Sequence, residues 1–178
     1  MIGIISSSGF IGKGIKKILT TKRIGNLGIF FTNSEGDISF EEFINSEYIE
    51  GIKILVICAG NSSYAIEDFE KALIRELKYL HHIYHSKFKG NIIFFSSASV
   101  YYGYYGIVKE NNIIIPRNYY SFLKNLGENF ITMMALNKNI KSIIFRLTYV
   151  FGLNKSKKRL FDIFLEGIKN NEMVYIDC

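Results

Sequence analysis

The feature that most constrains this chain is a series of short apolar runs with no polar alternation, each followed by apolar residues spaced every three or four positions. Residues 1–6, Gly28 to Thr32, Ile52 to Cys58, Asn91 to Ser96 and Ser142 to Leu147 read as strands, with Met173 to Ile176 as a further short one. A strand with one wet face would alternate polar and apolar residues; these do not, so both faces must be covered. Between them, Phe10, Ile11, Ile15, Ile18 and Leu19 recur at helical spacing, as do Ile66, Phe69, Leu73, Leu77, Leu80 and Tyr84, and then Leu123, Leu126, Phe130, Met133 and Met134. Strands buried on both faces and alternating with helices predict a doubly wound parallel α/β sheet.

A length of 178 residues suits one domain over 1–178, and 48% apolar with 21% charged residues is enough for a single core. Disorder and coiled coil are excluded. The net charge of +6 is dispersed except in Lys155 to Arg159, which argues against nucleic acid as a partner. No apolar run approaches the ~18 residues of a membrane span, and the first residues lack the basic stretch of a signal peptide. A soluble cytoplasmic protein is expected. Cys58 and Cys178 have neither metal spacing nor partners for a disulfide framework. His81, His82 and His85 lack the glutamate of a His-Glu-x-x-His helix, so no metal is expected, and the absence of Gly-x-Ser-x-Gly argues against a hydrolase.

Ligands of doubly wound sheets bind beyond the carboxyl ends of the strands. The first such end carries Ser6-Ser-Ser-Gly9-Phe10-Ile11-Gly12. Glycines here allow positive φ, close approach to a pyrophosphate and tight helix packing; Gly9 and Gly12 meet two of these needs, and Ser6 stands at the first position. A serine held in the left-handed region costs about 1–2 kcal/mol. An ordinary strand-to-helix turn would carry the same two glycines. Thr32 stands where an acid would meet a ribose hydroxyl, which leaves NAD and NADP both open.

The end of the Asn91–Ser96 run places Ser96, Ser97 and Ser99 at the same edge, followed by Tyr120 and Lys124. A tyrosine and a lysine four residues apart share a helix face. Lowering a phenol from about 10 to near 7 takes roughly 4 kcal/mol. One cation at ~4 Å in an effective dielectric near 20 supplies about that. A second such pair, Tyr105 and Lys109, lies in a Gly/Tyr-rich loop with no helical pattern, so context selects Tyr120 and Lys124. A packing tyrosine beside a solvated lysine has the same spacing.

Taken in order, Ser6-x-x-Gly9-Phe-Ile-Gly12, Leu55-Val-Ile-Cys-Ala59-Gly60, Ser96-Ser97-Ala-Ser99-Val-Tyr101, Pro116-x-x-x-Tyr120-x-x-x-Lys124 and Arg146-Leu-Thr-Tyr-Val-Phe-Gly152 resemble the extended short-chain dehydrogenase/reductases, in particular their NAD-dependent epimerase/dehydratase branch. The resemblance implies a Rossmann-like fold and hydride transfer between a nucleotide sugar and NAD or NADP. It assigns Ser6, Gly9, Phe10, Ile11, Gly12, Thr32, Asp37, Ala59, Gly60 and Lys124 to the cofactor. Ser97, Tyr120 and Lys124 are the implied catalytic residues, with Ser97, Ser99 and Tyr120 on the substrate and Arg146 steadying the loop after its strand.

It also implies a homodimer through the helices at 64–86 and 119–137. Several positions depart from the family pattern: Ser6, Thr32, Leu123 in place of a small hydroxyl residue, and a shortened region from the second to the fourth strand. Family members continue into a substrate lobe, which makes about 153–178 the start or remnant of one and predicts that most of that lobe is missing. A non-catalytic dinucleotide-binding or interaction module is the alternative expectation.

Overall fold

The structure is a computed structural model and describes residues 1–21, 38–60, 69–152, 160–171 and 173. Its elements run β1 (Ile2–Ile5), α1 (Phe10–Thr21), α2 (Phe40–Asn45), α3 (Tyr48–Gly51), β2 (Ile54–Ile57), α4 (Phe69–His85), β3 (Asn91–Ser97), one 3-10 turn (Ala98–Tyr101), α5 (Tyr119–Lys138), β4 (Ser142–Leu147) and α6 (Leu160–Asn170). The chain divides into two compact units, Met1–Leu147 and Thr148–Cys178. The second contains α6, whose Gly167 is buried.

In the first unit the four strands are all parallel, in the order β1-β2-β3-β4. The strands expected at Gly28 to Thr32 and Met173 to Ile176 fall outside the described residues, apart from Met173. In β1 and β2 the lack of alternation has a direct cause, because each face meets a helix; in β4, by contrast, Ile143 and Phe145 on the face away from α5 are exposed. Ile4 and Val56 point to one face, against Ile15 and Leu19 of α1. Ile5, Leu55, Ile57, Ile92 and Phe94 point to the other, against Leu80 and Ile83 of α4 and Ile131 and Met134 of α5. Each of the buried strand side chains contributes about 1.5–3 kcal/mol, and the partly buried Ile15 and Leu19 contribute less. The short helices α2 and α3, unforeseen in the sequence, add Phe43 and Ile49 to this second core.

The periodicity misplaces the inner face of α4. Leu77 is exposed, and the buried positions are Ala72, Glu76, Tyr79, Leu80 and Ile83. A carboxylate on the inward face makes an apolar count choose the neighbouring stripe. In α5, Asn118 accepts from the Ser121 amide at 2.8 Å and the Ser121 side chain accepts in return from the Asn118 amide at 3.2 Å. This reciprocal cap fixes the helix start, and with it the place of Tyr120 in the first turn.

The packing of α5 on β3 requires Gly127. A Cβ there would lie 2.6 Å from Cζ of the buried Phe94 ring. Overpacking of this kind costs about 1–3 kcal/mol. Gly127→Val is expected to lower the urea midpoint accordingly, with the slope of the transition unchanged; an unshifted midpoint would mean that the seam is looser than described.

Candidate functional site

The turn after β1 joins a serine in the left-handed region to a glycine that the packing requires. Ser6 takes φ 64°, the left-handed conformation that a first glycine would adopt freely. The Gly9 amide donates to the Ser6 carbonyl at 3.2 Å, and the Lys13 amide donates to the Gly9 carbonyl at 2.8 Å as α1 begins. At Gly12 a Cβ would sit 2.2 Å from the Ser6 carbonyl oxygen and 2.7 Å from Ser7 Cα, so only glycine lets α1 start this close to the strand. The Ser7 hydroxyl is buried, with no hydrogen-bond partner among the described residues.

Parallel register brings the next two strand ends to the same edge. The Cys58 amide donates to the Ile5 carbonyl at 3.1 Å, carrying the chain into Ala59 and Gly60. Here Lys124 arrives from α5, only 7% exposed, and its Nζ donates to the carbonyls of Ala59 at 3.3 Å and Phe95 at 2.9 Å. Gly60, at φ 153°, leaves the space that Nζ fills: a Cβ would come within 2.5 Å of it. Three predicted site residues, Ala59, Gly60 and Lys124, therefore come together.

Tyr120 is half-buried in the first turn of α5, one helical turn before Lys124. Ser97 ends β3, and its Oγ accepts from the Ser99 amide at 3.2 Å; the Ser99 hydroxyl is buried with no partner among the described residues. Thr32 and Asp37 lie outside the described residues.

Electrostatics at this edge follow from burial. Desolvation pulls the Lys124 ammonium below the usual lysine range, opposed by the charges of Glu76, Cys58 and Glu128. Burial pushes the Cys58 thiol up to about 12, with Lys124 acting the other way. Glu76, 2% exposed, is shifted upward by burial, partly offset by Lys124 and by the Tyr79 hydroxyl, which donates to it at 2.5 Å.

Sequence reasoning missed the residues that organise this edge. Glu128, 4% exposed, accepts from Ser96 Oγ at 2.5 Å and takes a two-pronged ion pair from Arg146, with Nε 3.1 Å from each carboxylate oxygen and Nη2 2.8 Å from Oε2. Arg146 Nη1 also donates to the Tyr101 hydroxyl and to the Glu110 carbonyl at 2.8 Å. Arg146 is the register partner of Ser96, so its side chain falls on the α5 face and reaches the loop after β3. The signal in the sequence was an acid four residues after Lys124, on a face otherwise lined by Leu123, Gly127 and Ile131.

The glycine turn after the first strand and the buried Lys124 stand at the carboxyl edge of a parallel sheet, where doubly wound α/β proteins bind their ligands. The chain belongs to the NAD dependent epimerase/dehydratase family, whose model matches residues 8–177. Solved structures of the same fold include UDP-glucuronic acid 4-epimerase from Bacillus cereus in complex with NAD, at 18% identity over 96% of this chain and 63% of that one, TM-score 0.74. UDP-glucose 4-epimerase with UDP-glucose from Thermotoga maritima matches at 20% identity over 98% and 65%, TM-score 0.77. RMD from Pseudomonas aeruginosa complexed with NADPH matches at 16% identity over 98% and 64%, TM-score 0.75. The chain spans less than two thirds of each of these structures. No curated protein matches it in sequence.

The residues present fit a dinucleotide: close packing at Gly12 starts α1 directly at the strand end, and the Ser7 and Ser99 hydroxyls are buried without a hydrogen-bond partner among the described residues. With its pKa near 12, Cys58 at pH 8 should alkylate about 10³-fold more slowly in the folded protein than in urea. Because the folded pKa is raised, the stability linked to this thiol is intact below about pH 8.5 and is lost as pH rises toward 12. Mass spectrometry of iodoacetamide-treated protein checks the rate; equal labelling in both states would mean an open thiol.

Proposed function

We propose that this protein is a nicotinamide-dinucleotide-dependent oxidoreductase acting on a nucleotide sugar, an epimerase, dehydratase or reductase in which Tyr120 moves the proton. The observation that carries this reading is the burial of Lys124 against the strand ends at Ala59 and Phe95, one turn after Tyr120. Ser6, Gly9, Phe10, Ile11 and Gly12 would hold the dinucleotide with Ala59 and Gly60, and Thr32 and Asp37 would take its adenosine end. When bound, the nicotinamide ring supplies the hydride acceptor or donor.

The chain's own residues do the rest. The Lys124 ammonium stabilises the Tyr120 phenolate, which takes the proton of a sugar hydroxyl and returns it when hydride moves back. Ser97 holds that hydroxyl by a hydrogen bond, and Ser99 lies beside it. Cytoplasmic residence and a homodimer belong to the same reading. Exposed Ile74 and Leu77 on α4 and Phe122 and Met133 on α5 support the dimer, because they are apolar positions on the pair of helices that a second copy would cover. Ser6, a non-glycine residue at φ 64°, favours a second reading as a non-catalytic dinucleotide-binding or interaction module.

Titration with NAD and NADP separates the two. A ligand at 100 times its Kd should add ~2.7 kcal/mol to stability. Tyr120→Phe should keep that gain and abolish cofactor reduction with UDP-sugars. Unchanged turnover in this variant would overturn the assignment of Tyr120; a gain in stability with no turnover in the unmodified protein would select the second reading.

A further inference from the structure

The catalytic reading depends on two elements that the chain itself does not hold at a fixed distance. Ser97 ends β3, Tyr120 and Lys124 stand on α5, and the covalent path between them is the long loop that follows the turn at Ala98–Tyr101. Their separation must therefore come from packing and cross-links. The close approach at Gly127 brings α5 onto Phe94. Two polar ties then join the elements directly: Lys124 Nζ to the Phe95 carbonyl at 2.9 Å, and Ser96 Oγ to Glu128 Oε1 at 2.5 Å.

Glu128 is the hub of the second tie. A carboxylate this deeply buried costs several kcal/mol unless it is paired and hydrogen-bonded. Here Ser96 occupies one oxygen, Arg146 grips both, and the same guanidinium spends its remaining nitrogen on the Tyr101 hydroxyl and the Glu110 carbonyl. Arg146 also lies over the Tyr101 ring, 4.8 Å from its centre. One buried charge thus joins β3, β4, α5 and the loop beyond β3.

We propose that Glu128 is a positioning residue: by holding Ser96 and Arg146 on one carboxylate it sets where Ser97 stands relative to Tyr120, and through Arg146 it holds the Tyr101–Glu110 segment at the same edge. This rests on the functional reading above. It extends that reading to residues that touch neither cofactor nor substrate. Ser96 and Arg146 are register partners, so both side chains fall on the α5 face and meet Glu128 there, whereas Ser97, the next residue in the strand, points to the other face. A shift of Ser96 on Glu128 is therefore passed to Ser97 through one peptide unit.

The test uses three variants of the full chain. Ser96→Ala removes the tie without changing charge, Ser96→Thr restores the hydroxyl, and Glu128→Gln keeps the shape but leaves Arg146 without its counter-charge. Each carries carbon-13 at tyrosine Cζ, and the Tyr120 resonance, assigned by its loss in Tyr120→Phe, is followed with and without NAD. Kinetics use NAD and UDP-glucose. Ser96→Ala and Glu128→Gln should displace the Tyr120 resonance and lower kcat by about tenfold to a hundredfold, the scale of a ~1 Å misplacement, with KM changed by less than about threefold. Ser96→Thr should recover both.

An unmoved Tyr120 resonance in Ser96→Ala and Glu128→Gln would overturn the proposal, as would a fall in melting temperature alone with the resonance and kcat intact. If the unmodified protein neither binds NAD nor turns over, the functional reading fails. The Tyr120 resonance of the cofactor-free variants then still decides the positioning claim.

Discussion

A parallel sheet needs helices packed on its faces, and the helix that covers β3 is also the one whose first turns carry Tyr120 and Lys124. Helix α5 therefore satisfies two demands along one face. Near its middle, Gly127, Ile131 and Met134 press into the core against Phe94 and its neighbours. One turn before Gly127 the same face presents Lys124, and directly after Gly127 comes Glu128. The seam between α5 and β3 is where apolar packing and buried charge meet, and the candidate site stands on the geometry of that seam.

Burying an ammonium there has a cost. Three charged side chains, Glu76, Lys124 and Glu128, are buried among the described residues. Each is matched by fixed partners: Lys124 by two strand-end carbonyls, Glu128 by Arg146 and Ser96, Glu76 by Tyr79. Replacing such an arrangement by apolar residues is often neutral or stabilising. Its retention in an otherwise well-filled core is understandable if the charge at Lys124 is used, as the proposed phenolate mechanism requires.

The turn after β1 tells a related story on a smaller scale. Gly12 is required by backbone atoms that leave no room for a Cβ, whereas Ser6 adopts the left-handed conformation against its own preference. Strain of about 1–2 kcal/mol persists only where surroundings impose it. The hydrogen bond from the Gly9 amide and the packing of Gly12 on the Ser6 carbonyl supply that imposition.

What the sequence by itself determined is the class of fold and the positions that need a particular residue type. Double-faced strands, the glycines of the first turn, and Tyr120 with Lys124 at helical spacing were legible because each is a local requirement of backbone or periodicity. The α2–α3 pair escaped because helices of six and four residues carry too few turns to show a period. Only the tertiary structure decided which stripe of α4 faces inward, that Glu128 rather than solvent receives Arg146, and that Gly60 makes room for Lys124. These depend on which residues from distant segments become neighbours. Parallel register at the carboxyl edge of the sheet brings them together, and burial then requires every charge placed there to find a partner.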